Sequence, residues 1–198
     1  MKVIIENSLA NSFSYEEYRG HISNLFDAAK VTGNEQSQDL LHYTELNNAR
    51  MNRLDKTIKI TNNVRSFLEH LDKEYIWLAI SESWCGDAAQ ILPIVNKMAL
   101  LSDKIEFKIV LRYTNNDLMN EFLTNGSKSI PVIILIEKET LKVINHFGPR
   151  PKLAAKLVSN YKEKFGVIDA TLKTDLQKWY LSDKGISTQN EIIDLMKP

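Results

Sequence analysis

The sequence predicts an α/β fold, a central mixed sheet flanked by helices, with a helical N-terminal extension and extra C-terminal helices. Three observations predict it. Short, continuously apolar segments such as YIWLAIS (75–81) are typical of strands buried on both faces. A segment with helical periodicity follows each of the first two such strands, which requires parallel pairing between them. Helical periodicity alone accounts for residues 14–71 and for most of the chain after residue 152.

The N-terminal extension, residues 1–72, is predicted to contain three helices. Ser14 and Glu17 have the spacing of a capping box, and apolar residues follow at helical intervals up to Ala29, so we expect this helix to end by Gly33. The second helix is predicted over residues 37–54 and the third over 64–71, where apolar residues repeat at i, i+3, i+4 and i+7.

The predicted core covers residues 73–165 and the C-terminal helices cover 166–198, with the whole chain expected to form one compact unit. In the core we expect strands at 75–81, 105–111, 131–137 and 141–147, and helices at 87–101, 116–124 and 152–164. The last two strands flank a charged turn at 138–140, which indicates a hairpin. Two more helices are expected near 169–181 and 187–197.

Charge and composition argue against several classes of function. Lys plus Arg and Asp plus Glu number 25 each, whereas a nucleic-acid-binding or polybasic membrane-docking protein needs a basic excess. No apolar run approaches the roughly 18 to 20 residues of a membrane span. The single cysteine excludes an internal disulfide, and the four histidines lack metal-ligand spacing. We therefore expect a cytoplasmic protein without a metal or cofactor, and with no nucleic-acid or membrane partner.

That one cysteine, Cys85, lies where a buried strand gives way to a helix. A thiolate there faces unpaired N–H groups and the positive end of the helix dipole, which lower a thiol pKa. Gly86 permits close backbone approach. The charge of Asp87 opposes the ionisation of the thiol, so we expect only a modest shift from the free pKa of about 8.5. We also expect Cys85 to be partly exposed and Asp87 to point to solvent.

Several motifs in this segment resemble the thioredoxin superfamily over residues 75–157. WCGDA stands where that family has Trp-Cys-Gly-Pro-Cys, and Pro93 matches the proline that kinks the active-site helix. SIPVIIL matches the loop whose proline is cis, here Pro131, and KVINHFG matches the closing strand with its glycine, Gly148. The longer match, which includes the helical N-terminus and WCGDAAQ, resembles a bacterial branch of thioredoxin-family proteins.

Two departures from the family pattern bear on the chemistry. Ala88 stands where the family has its second, resolving cysteine, and Ala79 stands where it has a buried aspartate that assists the second deprotonation. A mixed disulfide on Cys85 would therefore have no internal thiol to resolve it. The sequence predicts that the protein is not an ordinary dithiol reductase.

The remaining candidate residues come from the same resemblance or from their positions at the ends of predicted elements. Trp84 is either a substrate-facing ring or core filler, and Asp87 is either a helix cap or a catalytic group. If the Ile130–Pro131 bond is cis, the resemblance implies that the Ile130 backbone can pair with an extended peptide. Arg112, at the end of the second strand, could hold a carboxylate or offset the charge of Asp87, and the alternative is a solvated surface arginine.

Two classes of function remain open. In the first, Cys85 performs monothiol redox chemistry through mixed disulfides with protein or small-molecule thiols and disulfides, and an external thiol resolves them. In the second, the chain is a peptide- or partner-binding module that retains the thioredoxin groove without catalysis. Only the first class would be an enzyme, and neither fixes an oligomeric state.

Overall fold

A four-stranded mixed sheet forms the centre of the computed structural model, which describes residues 1–197. The strands are β1 (Tyr75–Ser81), β2 (Ile105–Leu111), β3 (Val132–Glu137) and β4 (Lys142–Phe147). Their spatial order is β2-β1-β3-β4. β1 pairs with β2 in parallel and with β3 antiparallel, and β3 pairs with β4 antiparallel. The predicted mixed sheet is confirmed.

Helices precede, separate and follow the strands, as predicted. They are α1 (Lys2–Ala10), α2 (Tyr15–Asp27), α3 (Gln38–Thr57), α4 (Asn62–Glu69), α5 (Gly86–Ala99), α6 (Asn116–Asn120), α7 (Lys152–Phe165), α8 (Ala170–Asp183) and α9 (Ile186–Met196). The short helix α1 was not predicted. α6 ends earlier than predicted because Thr124 instead pairs across a turn with Ser127, with backbone hydrogen bonds of 2.9 and 3.0 Å.

The capping box at the start of α2 is confirmed. The Glu17 N–H donates to Ser14 Oγ at 3.2 Å, and the Ser14 N–H donates to Glu17 Oε2 at 2.7 Å. The helix ends at Asp27, earlier than the expected stop at Gly33. Ala29 there adopts a left-handed conformation (φ 54°), which turns the chain out of the helix.

One hydrophobic cluster joins the sheet to helices from both ends of the chain. All seven residues of β1 are buried, as the apolar run predicts. Tyr18 from α2, Tyr180 from α8 and Ile192 from α9 belong to the same cluster. Full burial of a side chain such as Ile192 contributes about 1.5–3 kcal/mol to the free energy of unfolding. The boundaries at residues 72 and 165 stay a prediction from the sequence.

The topology brings three loops together at one edge of the sheet. Ser81 at the end of β1 pairs with Leu111 at the end of β2, and Ile80 pairs with Val132 at the start of β3. The segment that leads to Cys85, the residue that follows β2 (Arg112) and the loop before β3 therefore meet there, where open α/β sheets place their ligands. Among residues 1–197, no helix is both long enough and apolar enough to cross a membrane.

Candidate functional site

Cys85 is the N-cap residue of α5, with an extended backbone (φ −78°, ψ 112°). Its Sγ accepts a hydrogen bond from the Ala88 N–H at 3.5 Å, and its S–H donates to the Ile130 carbonyl oxygen at 3.3 Å. The cysteine therefore lies at a strand-to-helix junction, against the residue that precedes Pro131. Only 8% of Cys85 is exposed, so the expected partial exposure is not found.

Burial also changes the acidity of the thiol. Burial first, and then the negative charge of Asp87, raise the pKa of Cys85 to about 12, against the opposing effect of the Ala88 N–H. The expected modest shift is therefore wrong. The helix dipole and the neighbouring charge are local effects that the sequence indicates, whereas the loss of solvent around Sγ cannot be predicted from the local sequence. At neutral pH the Cys85 side chain is a neutral thiol.

Asp87 is buried as well, contrary to the expectation that it points to solvent. Its Oδ2 lies 2.6 Å from Arg150 Nη2, and its Oδ1 accepts a hydrogen bond from the Tyr180 hydroxyl at 2.8 Å. Burial raises the pKa of Asp87, and the charge of Arg150 and the Tyr180 hydrogen bond lower it. The charge of Asp87 is thus offset by Arg150, which follows β4, and not by Arg112. Through Tyr180, Asp87 also ties α8 to α5.

The other two small residues of the WCGDA motif lie in different surroundings: Gly86 is close to polar side chains, and Ala88 belongs to the core. A Cβ atom on the half-buried Gly86 would lie 3.6 Å from Arg50 Nη1 in α3 and 3.6 Å from Gln177 Nε2 in α8. Ala88 faces the core and is almost fully buried, as is Ala79 in β1. Neither alanine supplies a titratable group near Sγ. The first turn of α5 is therefore enclosed by helices from outside the predicted core.

Ser83 joins the N-terminal extension to the site, and sequence reasoning missed it. Its Oγ bonds with Thr32 Oγ1 at 3.2 Å and Thr44 Oγ1 at 3.1 Å, and its N–H donates to Thr32 Oγ1 at 2.8 Å. Asn47 Nδ2 donates to the Ser83 carbonyl at 2.9 Å. Thr44, Asn47, Met51 and Leu54 form the buried stripe of α3. Polar residues at stripe positions were the signal that could have indicated a buried polar network.

Trp84 and Arg112 form a stacked pair beside Cys85. The guanidinium carbon of Arg112 lies 4.9 Å from the centroid of the Trp84 ring, and Arg112 Nη1 donates to the Lys128 carbonyl at 3.1 Å. The Trp84 indole N–H donates to the Thr32 carbonyl at 3.2 Å. Both side chains are half-buried, and Trp84 also packs against the hydrophobic core. A substrate-facing role for the Trp84 ring stays a prediction.

The Ile130–Pro131 peptide bond is cis. Ile130 is buried and its carbonyl accepts the Cys85 S–H, so this carbonyl is already occupied. The pairing of an extended peptide with Ile130 stays a prediction.

A second residue that sequence reasoning missed is Glu82, three positions before Cys85. Only 1% of Glu82 is exposed, and its Oε1 accepts a hydrogen bond from the Tyr113 N–H at 2.9 Å. Burial raises the pKa of Glu82, whereas this hydrogen bond and the charge of Arg112 lower it. Glu82 thus anchors the backbone directly after Arg112. Within residues 1–197, no group of three or more His, Cys, Asp or Glu side chains is arranged to hold a metal ion.

The mixed sheet and the cysteine at the N-terminus of α5 define a thioredoxin-like α/β protein with a single-cysteine site. A family model described as thioredoxin matches residues 33–163, and the chain belongs to that family. Among curated proteins the sequence comparison finds no match.

Two solved structures are similar to the chain over almost its full length. One is a protein of unknown function from Pseudomonas aeruginosa, with 14% identity, a TM-score of 0.59 and coverage of 93% of this chain and 97% of that one. The other is an HIV epitope scaffold, with 16% identity, a TM-score of 0.58 and coverage of 93% and 98%. At these identities the similarity establishes the fold alone.

Proposed function

We propose that this thioredoxin-family protein is a partner-binding module in which Cys85 is a structural thiol. The observation that carries the proposal is the state of that thiol. The Cys85 side chain is buried, its S–H donates a hydrogen bond to the Ile130 carbonyl, and its pKa is raised to about 12. A module that had kept its chemistry would need an accessible thiolate, because the thiolate is the nucleophile in disulfide exchange.

The raised pKa of Cys85 also argues for a structural thiol and against efficient disulfide exchange. With a pKa of about 12, the thiolate fraction of Cys85 at pH 7 is on the order of 10⁻⁵, against a few per cent for a free cysteine. Resolution of a mixed disulfide is hindered too, because Ala88 offers no second thiol. Both steps of an exchange cycle are therefore disfavoured by groups that lie at the site.

Binding is supported by the surface beside the thiol. We call Trp84, Arg112, Tyr113 and Lys128 the Arg112 face. Tyr113 is 44% exposed, Lys128 is exposed, and the Trp84–Arg112 pair is half-exposed. Tryptophan, tyrosine and arginine are the residues that most often dominate binding energy at protein interfaces. The Arg112 face lies at the carboxyl ends of β1 and β2, where this architecture binds ligands.

Monothiol redox chemistry is the second candidate, and one observation favours it. The Ala88 N–H points at Cys85 Sγ from the first turn of α5, which is a donor geometry that stabilises a thiolate. In this chemistry the Cys85 thiolate would attack a substrate disulfide, form a mixed disulfide and release one substrate thiolate. An external thiol would then attack the mixed disulfide and free Cys85.

Intact-protein mass spectrometry after exposure to oxidised glutathione separates the two candidates. The control is a Cys85→Ala, Ser159→Cys variant, whose single thiol lies at an exposed position on α7. We expect a glutathione adduct on the control and almost none on the native wild-type chain over the same period. An adduct that forms as fast on Cys85 as on the control would overturn the structural-thiol proposal in favour of redox chemistry.

The binding part of the proposal is tested by nuclear magnetic resonance. The ¹⁵N-labelled protein is titrated with an equimolar mixture of acetylated, amidated heptapeptides of varied composition. We expect the signals of the Trp84 indole and of the amides of residues 112–114 and 128–130 to shift. A Trp84→Phe variant assigns the indole signal. If no peptide mixture moves these signals, the binding module is refuted.

A further inference from the structure

The guanidinium group of Arg112 is held in place before any partner arrives. It stacks on Trp84 with 4.9 Å between the guanidinium carbon and the ring centroid, and one of its N–H groups donates to the Lys128 carbonyl at 3.1 Å. The Trp84 ring is itself fixed by its hydrogen bond to Thr32. Because the guanidinium group of Arg112 is already oriented, its side chain loses less entropy when it pairs with a partner than a freely rotating arginine would.

The two cations of the Arg112 face have no carboxylate paired with them. Among the ion pairs within residues 1–197, none includes Arg112 or Lys128, and Lys128 Nζ donates instead to Asn116 Oδ1 at 3.0 Å. Glu82 attracts Arg112, but it is buried and its Oε1 is bonded to the Tyr113 N–H. The solvent side of the face therefore presents donors and positive charge.

We propose that the Arg112 face binds acidic segments of partner proteins, with a Glu or Asp side-chain carboxylate on Arg112 and Lys128 nearby. This inference rests on the binding function proposed above and names its partner class. Arg112 carries five N–H donors in a planar fork that matches a carboxylate, and one of them is used by Lys128. Trp84 and Tyr113 supply apolar area for the residues next to the carboxylate. The zero net charge of the chain argues against a nucleic-acid phosphate as the anion.

Two matched peptides test this inference. Both are acetylated and amidated heptapeptides, one with the sequence GSAEASG and the other with glutamine in place of the glutamate, so they differ only in the charge. Amidation removes the terminal carboxylate as an alternative anion. Affinities are measured from the shifts of the Trp84 indole and of the Arg112 and Lys128 amides. We expect the glutamate peptide to bind at least about tenfold more tightly, and its affinity to fall with added salt.

Variants assign the preference to Arg112. Arg112→Gln should reduce the affinity for the glutamate peptide to that for the glutamine peptide. Arg112→Lys should restore only part of the preference, because an ammonium group cannot pair with both carboxylate oxygens in fork geometry. Arg65→Gln is the matched control. It removes an exposed arginine of α4, where Arg65 pairs with Glu69 at 3.4 Å, and should change neither affinity.

The outcomes separate this inference from the function on which it rests. Equal affinities for the two peptides, unchanged in Arg112→Gln, would refute the acidic preference and leave the binding module standing. A glutamate preference that survives in Arg112→Gln would place the carboxylate elsewhere and also refute it. If neither these peptides nor the varied mixture binds, the inference and the binding function are both refuted. Far-UV circular dichroism confirms that each variant is folded.

Discussion

The replacement of Asp87 by asparagine tests how the site sets the acidity of Cys85. Asparagine keeps the size of the side chain, and its carbonyl can still accept the Tyr180 hydroxyl that Asp87 accepts at 2.8 Å. The substitution removes the negative charge that raises the pKa of Cys85, and it leaves Arg150 with its positive charge and no carboxylate at 2.6 Å. Both changes favour the thiolate.

The structure gives the magnitude. Burial and Asp87 together raise the pKa of Cys85 from 9.0 to about 12, which lowers the thiolate population at neutral pH about a thousandfold. Desolvation is the larger of these two causes, and Arg150 lies 2.6 Å from the Asp87 carboxylate. Removal of the Asp87 charge should therefore lower the pKa of Cys85 by about 1 unit, less than half of the total rise, which corresponds to about tenfold in the thiolate population. Desolvation of Sγ accounts for the remainder and stays in the variant.

The assay is the rate of alkylation by iodoacetamide, followed by intact-protein mass spectrometry between pH 7 and pH 11. The Cys85→Ala, Ser159→Cys chain provides the rate of an exposed thiol, and the wild-type chain unfolded in guanidinium chloride provides the rate of Cys85 without its surroundings. At pH 7 we expect native wild-type protein to react several hundredfold more slowly than either control. Asp87→Asn should react about tenfold faster than wild type.

Two results would refute this reasoning. If wild-type Cys85 reacts within threefold of the exposed control at pH 7, the thiol is neither buried nor neutral in solution. If the pH profile of Asp87→Asn coincides with that of wild type, the charge of Asp87 does not reach Sγ, and Arg150 already cancels it.

Three further predictions concern the same site. Ala88→Cys should form a disulfide with Cys85, because the residue 88 nitrogen lies 3.5 Å from Sγ, and it should reduce insulin only slowly since Ala79 supplies no base. Ser83→Ala should lower the free energy of unfolding in urea by about 1–3 kcal/mol, because it leaves the buried Thr44 hydroxyl without its partner and removes the acceptor of the Thr32 hydroxyl, which keeps only its bond from the residue 83 N–H. Burial raises the pKa of Asp87 in the folded chain above the unfolded value of 3.8, so the folded protein holds this proton at a pH where the unfolded chain has lost it. The stability that comes from this proton is fully present below pH 3.8 and should be lost as the pH rises through the folded-state pKa. Asp87→Asn should not show this loss.

Each of these predictions has a contrary outcome. Two free thiols in an Ellman titration of oxidised Ala88→Cys would mean that positions 85 and 88 are not at a helix start, and fast insulin reduction would make the argument about Ala79 wrong. An unchanged urea midpoint for Ser83→Ala would mean that water replaces the hydroxyl. Parallel stability curves for wild type and Asp87→Asn between pH 4 and pH 7 would mean that the Asp87 pKa is not raised by folding.

Interactions between near neighbours along the chain were enough to predict several parts of this protein. The apolar run 75–81 became the fully buried strand β1, because a segment of almost entirely apolar side chains is stable only when both of its faces are covered. Ser14 and Glu17 formed their capping box, since the helix brings those two positions together whatever lies around it. Cys85 likewise lies at the start of α5, a junction that a strand followed directly by a helix already defines.

The chemical state of that cysteine depends instead on contacts that form only when the chain is folded. The pKa of Cys85 depends on how much solvent reaches Sγ, and the first turn of α5 is enclosed by Arg50 and Tyr180, which belong to helices from opposite ends of the chain. Asp87 was expected to be exposed because its partner, Arg150, lies far along the chain and nothing in the local pattern connects the two. Desolvation and long-range pairing sum over groups that only the fold brings together, whereas helix and strand formation depend on residues a few positions apart.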